Sequence, residues 1–214
     1  MRERVKVVFD RLLAHYPELG MNRAAIAAAF ACLQQCYGGG GKVLICGNGG
    51  SAADAEHIVG ELMKGFMLRR ELSGPDQAKL AEAFPQESSY FTAHLQGALP
   101  AISLISHTAL SSAFSNDIAP EMVFAQQVYG YGRAGDVLIA ISTSGNSKNV
   151  VNAVKVGQAF GVKSIGLTGQ SGGVMKELCD ITIAVPADDT YRIQEYHLPV
   201  YHALCAMIEA EFFD

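Results

Sequence analysis

His57 and Glu61 stand four residues apart in the stretch CGNGGSAADAEHIVGEL, residues 46–62. On a helix that spacing puts both side chains on one face. An imidazole beside a carboxylate suits proton transfer or metal ligation. Just upstream, GNGGS (47–51) supplies Asn48, Gly49, Gly50 and Ser51 between an apolar run and a helical pattern. Glycines let a backbone approach a ligand closely, and free amides at a helix start favour an anion. An ordinary tight turn would use the same glycines. Ser51 is expected to cap the helix, with Asp54 at the capping-box position. The loop is neither GxGxxG nor GxxxxGK[ST], so it carries no dinucleotide fingerprint and lacks the phosphate-binding lysine.

A second polar loop, STSGNS (142–147), also lies between an apolar run and a helical pattern. Ser142, Thr143, Ser144 and Ser147 place four hydroxyls around one glycine. Hydroxyls and backbone amides without a lysine make a neutral cradle for a phosphate monoester. A turn with an N-cap would account for one or two of these hydroxyls, not four.

The elements that must hold these loops read as follows. KVLICG, PAISLIS (100–106), DVLIAIS (136–142), KSIGLTG (163–169) and DITIAVP (180–186) are short, Val/Ile/Leu-rich and not strictly alternating. Strands buried on both faces read this way. Helical patterns at 52–65, about 107–131, 147–159, 172–178 and about 192–212 separate or follow them. The alternation implies an α/β protein with a parallel sheet flanked by helices, and ligands in such sheets bind outside the carboxyl ends of the strands. Two further helices precede the sheet within residues 1–40, the second opening at Asn22 as a cap and stopping at GGGG, 38–41. One stretch breaks the rhythm. Residues 66–99 form a long connection with a short helix in PDQAKLAEAF and with Tyr90, Phe91 and His94 as possible pocket residues. No second domain is visible, so 1–214 reads as one unit. Pro199 falls inside the last helix and is expected to bend it.

Composition narrows the function. With Lys+Arg 16 against Asp+Glu 21, the net charge is −5, and the compact basic run is only Arg69-Arg70. That is too short to track a nucleic-acid backbone, so no nucleic acid is expected. No apolar run approaches the roughly 18 residues of a membrane span, so no membrane partner is expected either. Five cysteines, an odd number without CxxC, are the reduced-thiol usage of a cytoplasmic protein. Half the residues are hydrophobic, which points to surface buried between subunits.

GKVLICGNGGSAADAEHIVGEL, SND (115–117), GDVLIAISTSGNSKNV, LTGQSGG and RIQEYHLPVYH occur in that order. Through them the chain resembles the sugar isomerase (SIS) domain family, and within it the phosphoheptose isomerases. The likeness covers the chain except roughly 66–99, which is longer than in compact members. It implies a three-layer αβα sandwich of flavodoxin-like type around a parallel sheet of about five strands. It also implies a cytoplasmic homotetramer with sites between subunits, converting sedoheptulose 7-phosphate to D-glycero-D-manno-heptose 7-phosphate. Residue by residue, Ser51, Ser142, Thr143, Ser144 and Ser147 match phosphate-contacting positions. Asn48 and Asp117 match positions lining the sugar, and Glu61 and His202 match the catalytic pair. His57, Glu61, Gln194 and His202 match the zinc ligands of members that bind zinc. The residues agree with this: Gln194 and His202 are eight apart, on broadly one side of the last helix, with His197 across from His202. Some similar proteins are non-catalytic, one of them a bacterial regulator that binds the replication initiator, but they lack the Glu and His that stand here at 61 and 202. Another phosphosugar remains the alternative substrate.

Overall fold

The computed structural model describes residues 2–214. Five parallel strands form one sheet: β1 (Val43–Cys46), β2 (Ala101–Ser103), β3 (Val137–Ile141), β4 (Lys163–Thr168) and β5 (Ile181–Ala184). Their spatial order is β2-β1-β3-β4-β5, every neighbouring pair parallel. The order reverses between β1 and β3, so this doubly wound sheet has its switch point there. All five apolar runs are strands, and β1 and β3 are buried along their whole length.

Period-two alternation divides the strand side chains between two cores. Val43, Ile45, Ile139, Ile165 and Leu167 face the core that contains α1 (Glu3–His15), α2 (Arg23–Gly38), α3 (Gly50–Met63) and α10 (Thr190–Phe213). Leu44, Cys46, Leu138 and Ala140 face α7 (Val123–Tyr131), α8 (Lys148–Ala159) and Met175 of α9 (Met175–Leu178). The result is the three-layer αβα sandwich.

Three expectations change in detail. The 107–131 pattern is two helices, α6 (Thr108–Asp117) and α7, with a 3-10 turn at Pro120–Met122 between them. Pro120 lacks the N–H that a continuous helix would need. Asn22 stands at the N-cap of α2 but makes no cap bond. Its amide donates instead to the Ala184 carbonyl at 2.7 Å, tying α2 to β5. The 66–99 connection holds two helices rather than one, α4 (Gly74–Ala83) and α5 (Ser88–His94), packed on each other. The last helix runs as one element through Pro199.

Candidate active site

Both hydroxyl-bearing loops leave the carboxyl ends of the strands that flank the switch point, GNGGS after β1 and STSGNS after β3. The two are joined directly. Asn48 and Asn149 exchange side-chain hydrogen bonds, each Nδ2 donating to the other's Oδ1 at 2.9 Å. Asn149 was not singled out by its sequence position, although it lies on α8 one residue into the helix.

Ser51 is not a cap. It lies inside the first turn of α3, buried to 3% exposure, and the N-cap residue is Gly49. The chain enters α3 two residues earlier than a Ser51 cap requires, so Asp54 is freed from capping and accepts from the Tyr201 hydroxyl at 3.3 Å. Gly50 has a steric reason to be glycine: a Cβ there would lie 2.4 Å from Gln194 Nε2. Gln194, on the first turns of α10, is thereby laid against the first loop.

In the second loop, Ser142 is buried and its hydroxyl donates to Ser147 Oγ at 3.0 Å. Ser147, at the N-cap of α8, is the acceptor in that bond, so its own proton is available to a ligand. Thr143 is half-buried and Ser144 exposed. A third loop, 169–173, braces this one. Gly169 N–H donates to the Thr143 carbonyl at 2.9 Å, Val174 N–H to Asn146 Oδ1 at 2.9 Å, and Met175 N–H to the Gly145 carbonyl at 3.1 Å. The α8 N-terminus and these hydroxyls form a pre-shaped, uncharged anion cradle.

Along α3, seven residues or about 10 Å beyond Gly50, the second half of the site begins. His57 Nε2 lies 3.2 Å from Glu61 Oε1 and 3.5 Å from His202 Nε2. His57 Nδ1 is 3.0 Å from the Tyr201 hydroxyl. Glu61 Oε2 is buried without a hydrogen-bond partner, its nearest cation being Lys64 Nζ at 3.9 Å. Burial, helped by neighbouring His57, holds the His202 imidazole below its ordinary pKa. His202 opens on a groove of about 280 Å³ walled by Leu12, Tyr16, Phe66, Met67 and Ala203. His197 is on the other side of α10, buried and bonded to the Thr168 carbonyl, so it takes no part.

Asp117 and the three residues singled out in the connection stay outside this cluster. Asp117 is exposed at the last residue of α6, where its side chain accepts from Asn116. Tyr90 and His94 stack on each other with centroids 4.1 Å apart, and Phe91 packs edge-on against Phe84. From the connection it is Phe66 that reaches the site, 5.5 Å from the His202 ring. A cavity of about 780 Å³ between residues 69–72 and α4–α5 contains none of the candidate residues.

The donor set can be tested against zinc. Tetrahedral Zn–N bonds of 2.0–2.1 Å place donors about 3.3 Å apart, close to both separations around His57 Nε2. The imidazole, carboxylate and amide donors are acceptable zinc chemistry, and the orphaned Glu61 oxygen adds an uncommitted acceptor. No three His, Cys, Asp or Glu among the described residues form a finished metal-holding group. The donor types therefore fit, but the structure brings together only His57, Glu61 and His202, because Gln194 lies against Gly50, about 10 Å along α3 from His57.

The comparisons agree with this architecture. The family model described as SIS domain matches residues 11–94 and 73–169. A phosphoheptose isomerase of Geotalea daltonii is 39% identical over 88% of this chain and 84% of its own length. The phosphoheptose isomerase structure from Neisseria gonorrhoeae superposes with a TM-score of 0.69 at 34% identity, covering 93% of this chain and 98% of that one. The one from Francisella tularensis gives 0.72 at 30% identity, covering 98% and 100%. With the site at the switch point and similarity along nearly the whole chain, this protein belongs to the SIS-domain family and, within it, to the phosphoheptose isomerases.

Proposed function

We propose that the protein interconverts sedoheptulose 7-phosphate and D-glycero-D-manno-heptose 7-phosphate through an enediol. The observation that carries this is the placement of the His57–Glu61–His202 cluster about 10 Å along α3 from the GNGGS loop, which Asn48 and Asn149 join to the phosphate cradle. The phosphate is held by Ser51, Ser142, Thr143, Ser144, Ser147 and the amides of Gly49 and Gly50. Asn48, Gln194 and Asp117 serve the sugar hydroxyls, Asp117 from a second subunit or after a movement of α6. Glu61 takes the proton from C1 of the ketose and returns it to C2. Its two oxygens suit this, since Oε1 faces His57 while Oε2 is uncommitted. His202, neutral because of its lowered pKa, gives a proton to the C2 oxygen and receives one from the C1 oxygen, so the net change is the aldose. Positioned acid–base groups of this kind contribute about 10²–10⁴-fold each. Zinc would be held by His57, Glu61 and His202, with Gln194 as the fourth ligand once its amide leaves Gly50, and it would polarise the carbonyl and steady the enediolate charge.

A homotetramer with shared sites is part of the proposal. Its support is the apolar groove beside His202, where Met67 is 62% exposed. A cytoplasmic location is also proposed, from five free cysteines and from the lack, among the described residues, of any helix long and apolar enough to cross a membrane. Turnover of metal-analysed protein on sedoheptulose 7-phosphate tests the activity. Wild type should yield the aldoheptose phosphate, and Glu61→Gln should lose at least about 10²-fold in kcat. A variant that turns over normally would remove Glu61 from the chemistry.

A further inference from the structure

His57 touches a pair that the reaction does not use, Tyr201, which is buried, and Asp54, which is half-buried. Tyr201 is 2% exposed, and its hydroxyl lies between His57 Nδ1 at 3.0 Å and Asp54 Oδ1 at 3.3 Å. The Tyr201 and His57 rings meet edge-on with centroids 5.5 Å apart, so the phenol is held in place by packing as well. The direction of this chain follows from proton counting. An ionised carboxylate only accepts, so the single hydroxyl proton goes to Asp54. The phenolic oxygen is then left as an acceptor, and the group facing it is His57 Nδ1. The hydrogen of His57 therefore sits on Nδ1, and Nε2 keeps its lone pair. That lone pair points among Glu61 Oε1 and His202 Nε2. The lone pair and the Glu61 carboxylate oxygen, 3.2 Å apart, then face each other with no hydrogen of their own between them, a gap that a cation or a proton fills.

We propose that Asp54 and Tyr201 are positioning residues that fix the hydrogen of His57 on Nδ1 and so present Nε2 as an electron-pair donor. The zinc consequence rests on the reading of His57 as a ligand; the tautomer itself does not. An outer partner that sets a ligand's tautomer typically changes metal affinity by about 10–100-fold. Tyr201→Phe keeps the ring and removes the acceptor. Asp54→Leu keeps a side chain of similar size and removes the acceptor at 54. Without it the Tyr201 proton is redirected to His57 Nδ1, and the imidazole hydrogen must move to Nε2, where Glu61 accepts it.

The test is ¹⁵N NMR of the histidine rings in metal-free protein at a pH of about 9, where an ordinary imidazole is neutral, with zinc titrations of the same three proteins. Wild type should show a hydrogen-bearing Nδ1 at His57. Both variants should show a bare Nδ1 and bind zinc about 10–100-fold more weakly. A bare Nδ1 in wild type, or an Nδ1 that keeps its hydrogen in both variants, overturns the proposal. A tautomer change without zinc binding to any of the three supports the positioning role and refutes the ligand reading. Equal zinc binding with no tautomer change refutes the positioning role and leaves the ligand reading standing.

Discussion

At the scale of single residues, two histidines on one helix have been given opposite tasks by their surroundings. His202 opens on a groove and can exchange protons with a substrate. His197, five residues earlier, is fully buried, and its Nε2 donates to the Thr168 carbonyl at 3.2 Å. Its Nδ1 has no partner. A second proton would sit on that nitrogen with nothing to accept it, and burial drives the pKa down from 6.5 to about 4. In the unfolded chain the ordinary value returns, so below pH 6.5 the unfolded state takes up a proton that the folded state refuses. The contribution of His197 to stability is therefore complete above the unfolded pKa and is lost as the pH falls towards the folded one. Between pH 7 and pH 5 the loss should be about 2 kcal/mol. Denaturant unfolding at the two pH values measures it, and the difference should shrink in His197→Gln. A wild-type stability that is flat over this range would contradict the burial argument.

At the scale of elements, the anion cradle proposed for the phosphate depends on two loops touching. Gly145 has φ of +65°, and a Cβ there would lie 2.0 Å from the Gly172 carbonyl oxygen. Gly145→Ala must therefore strain its own backbone, at about 1–2 kcal/mol, and push the 169–173 loop away. The expected result is a raised KM for the sugar phosphate with a smaller change in kcat. Ser147→Ala should act in the same direction without the backbone effect. Losing one hydrogen bond to a charged ligand costs about 1.5–3 kcal/mol, or roughly tenfold or more in affinity. Inhibition by inorganic phosphate should weaken in parallel, whereas a kcat effect alone would place Ser147 elsewhere. These loops were legible in the sequence because each is a local signal: a two-face-buried strand, a burst of small polar residues, then a helix. The strands were legible for the same reason, since burial on both faces writes a continuous apolar run. The braces were not. Asn149 and Tyr201 find their partners 101 and 147 residues away, and no local pattern records such a pairing. The cap reading of Ser51 failed for a related reason, because its side chain is claimed by burial rather than by the helix end.

At the scale of the whole molecule, the 66–99 connection must be anchored for α3 to keep Glu61 in place, and one buried pair does this. Arg70 read in the sequence as half of a short basic run; it is 1% exposed, and each of its three guanidinium nitrogens donates a hydrogen bond. Nε donates to Glu209 Oε1 at 2.8 Å, Nη1 to the Leu62 carbonyl at 2.6 Å and Nη2 to the Glu61 carbonyl at 2.9 Å. Glu209, from α10, also accepts the backbone N–H groups of Phe66, Met67 and Leu68 at 2.7, 2.6 and 3.1 Å. The pair thus ties together the end of the catalytic helix, the start of the connection and the last helix. Removing one partner of a buried pair costs about 3–5 kcal/mol, because the other is left charged and unpaired. Arg70→Met should show that loss in denaturant unfolding, together with a reduced kcat, since the Glu61 carbonyl loses its donor. Replacing both partners with apolar residues often restores stability when a buried ion pair stands alone. Here it should not, because Arg70→Met with Glu209→Leu still strands three backbone amides that have no other acceptor. A double variant as stable as wild type would mean that the connection is held by its apolar contacts, Phe66 above all, and that the ion pair is dispensable.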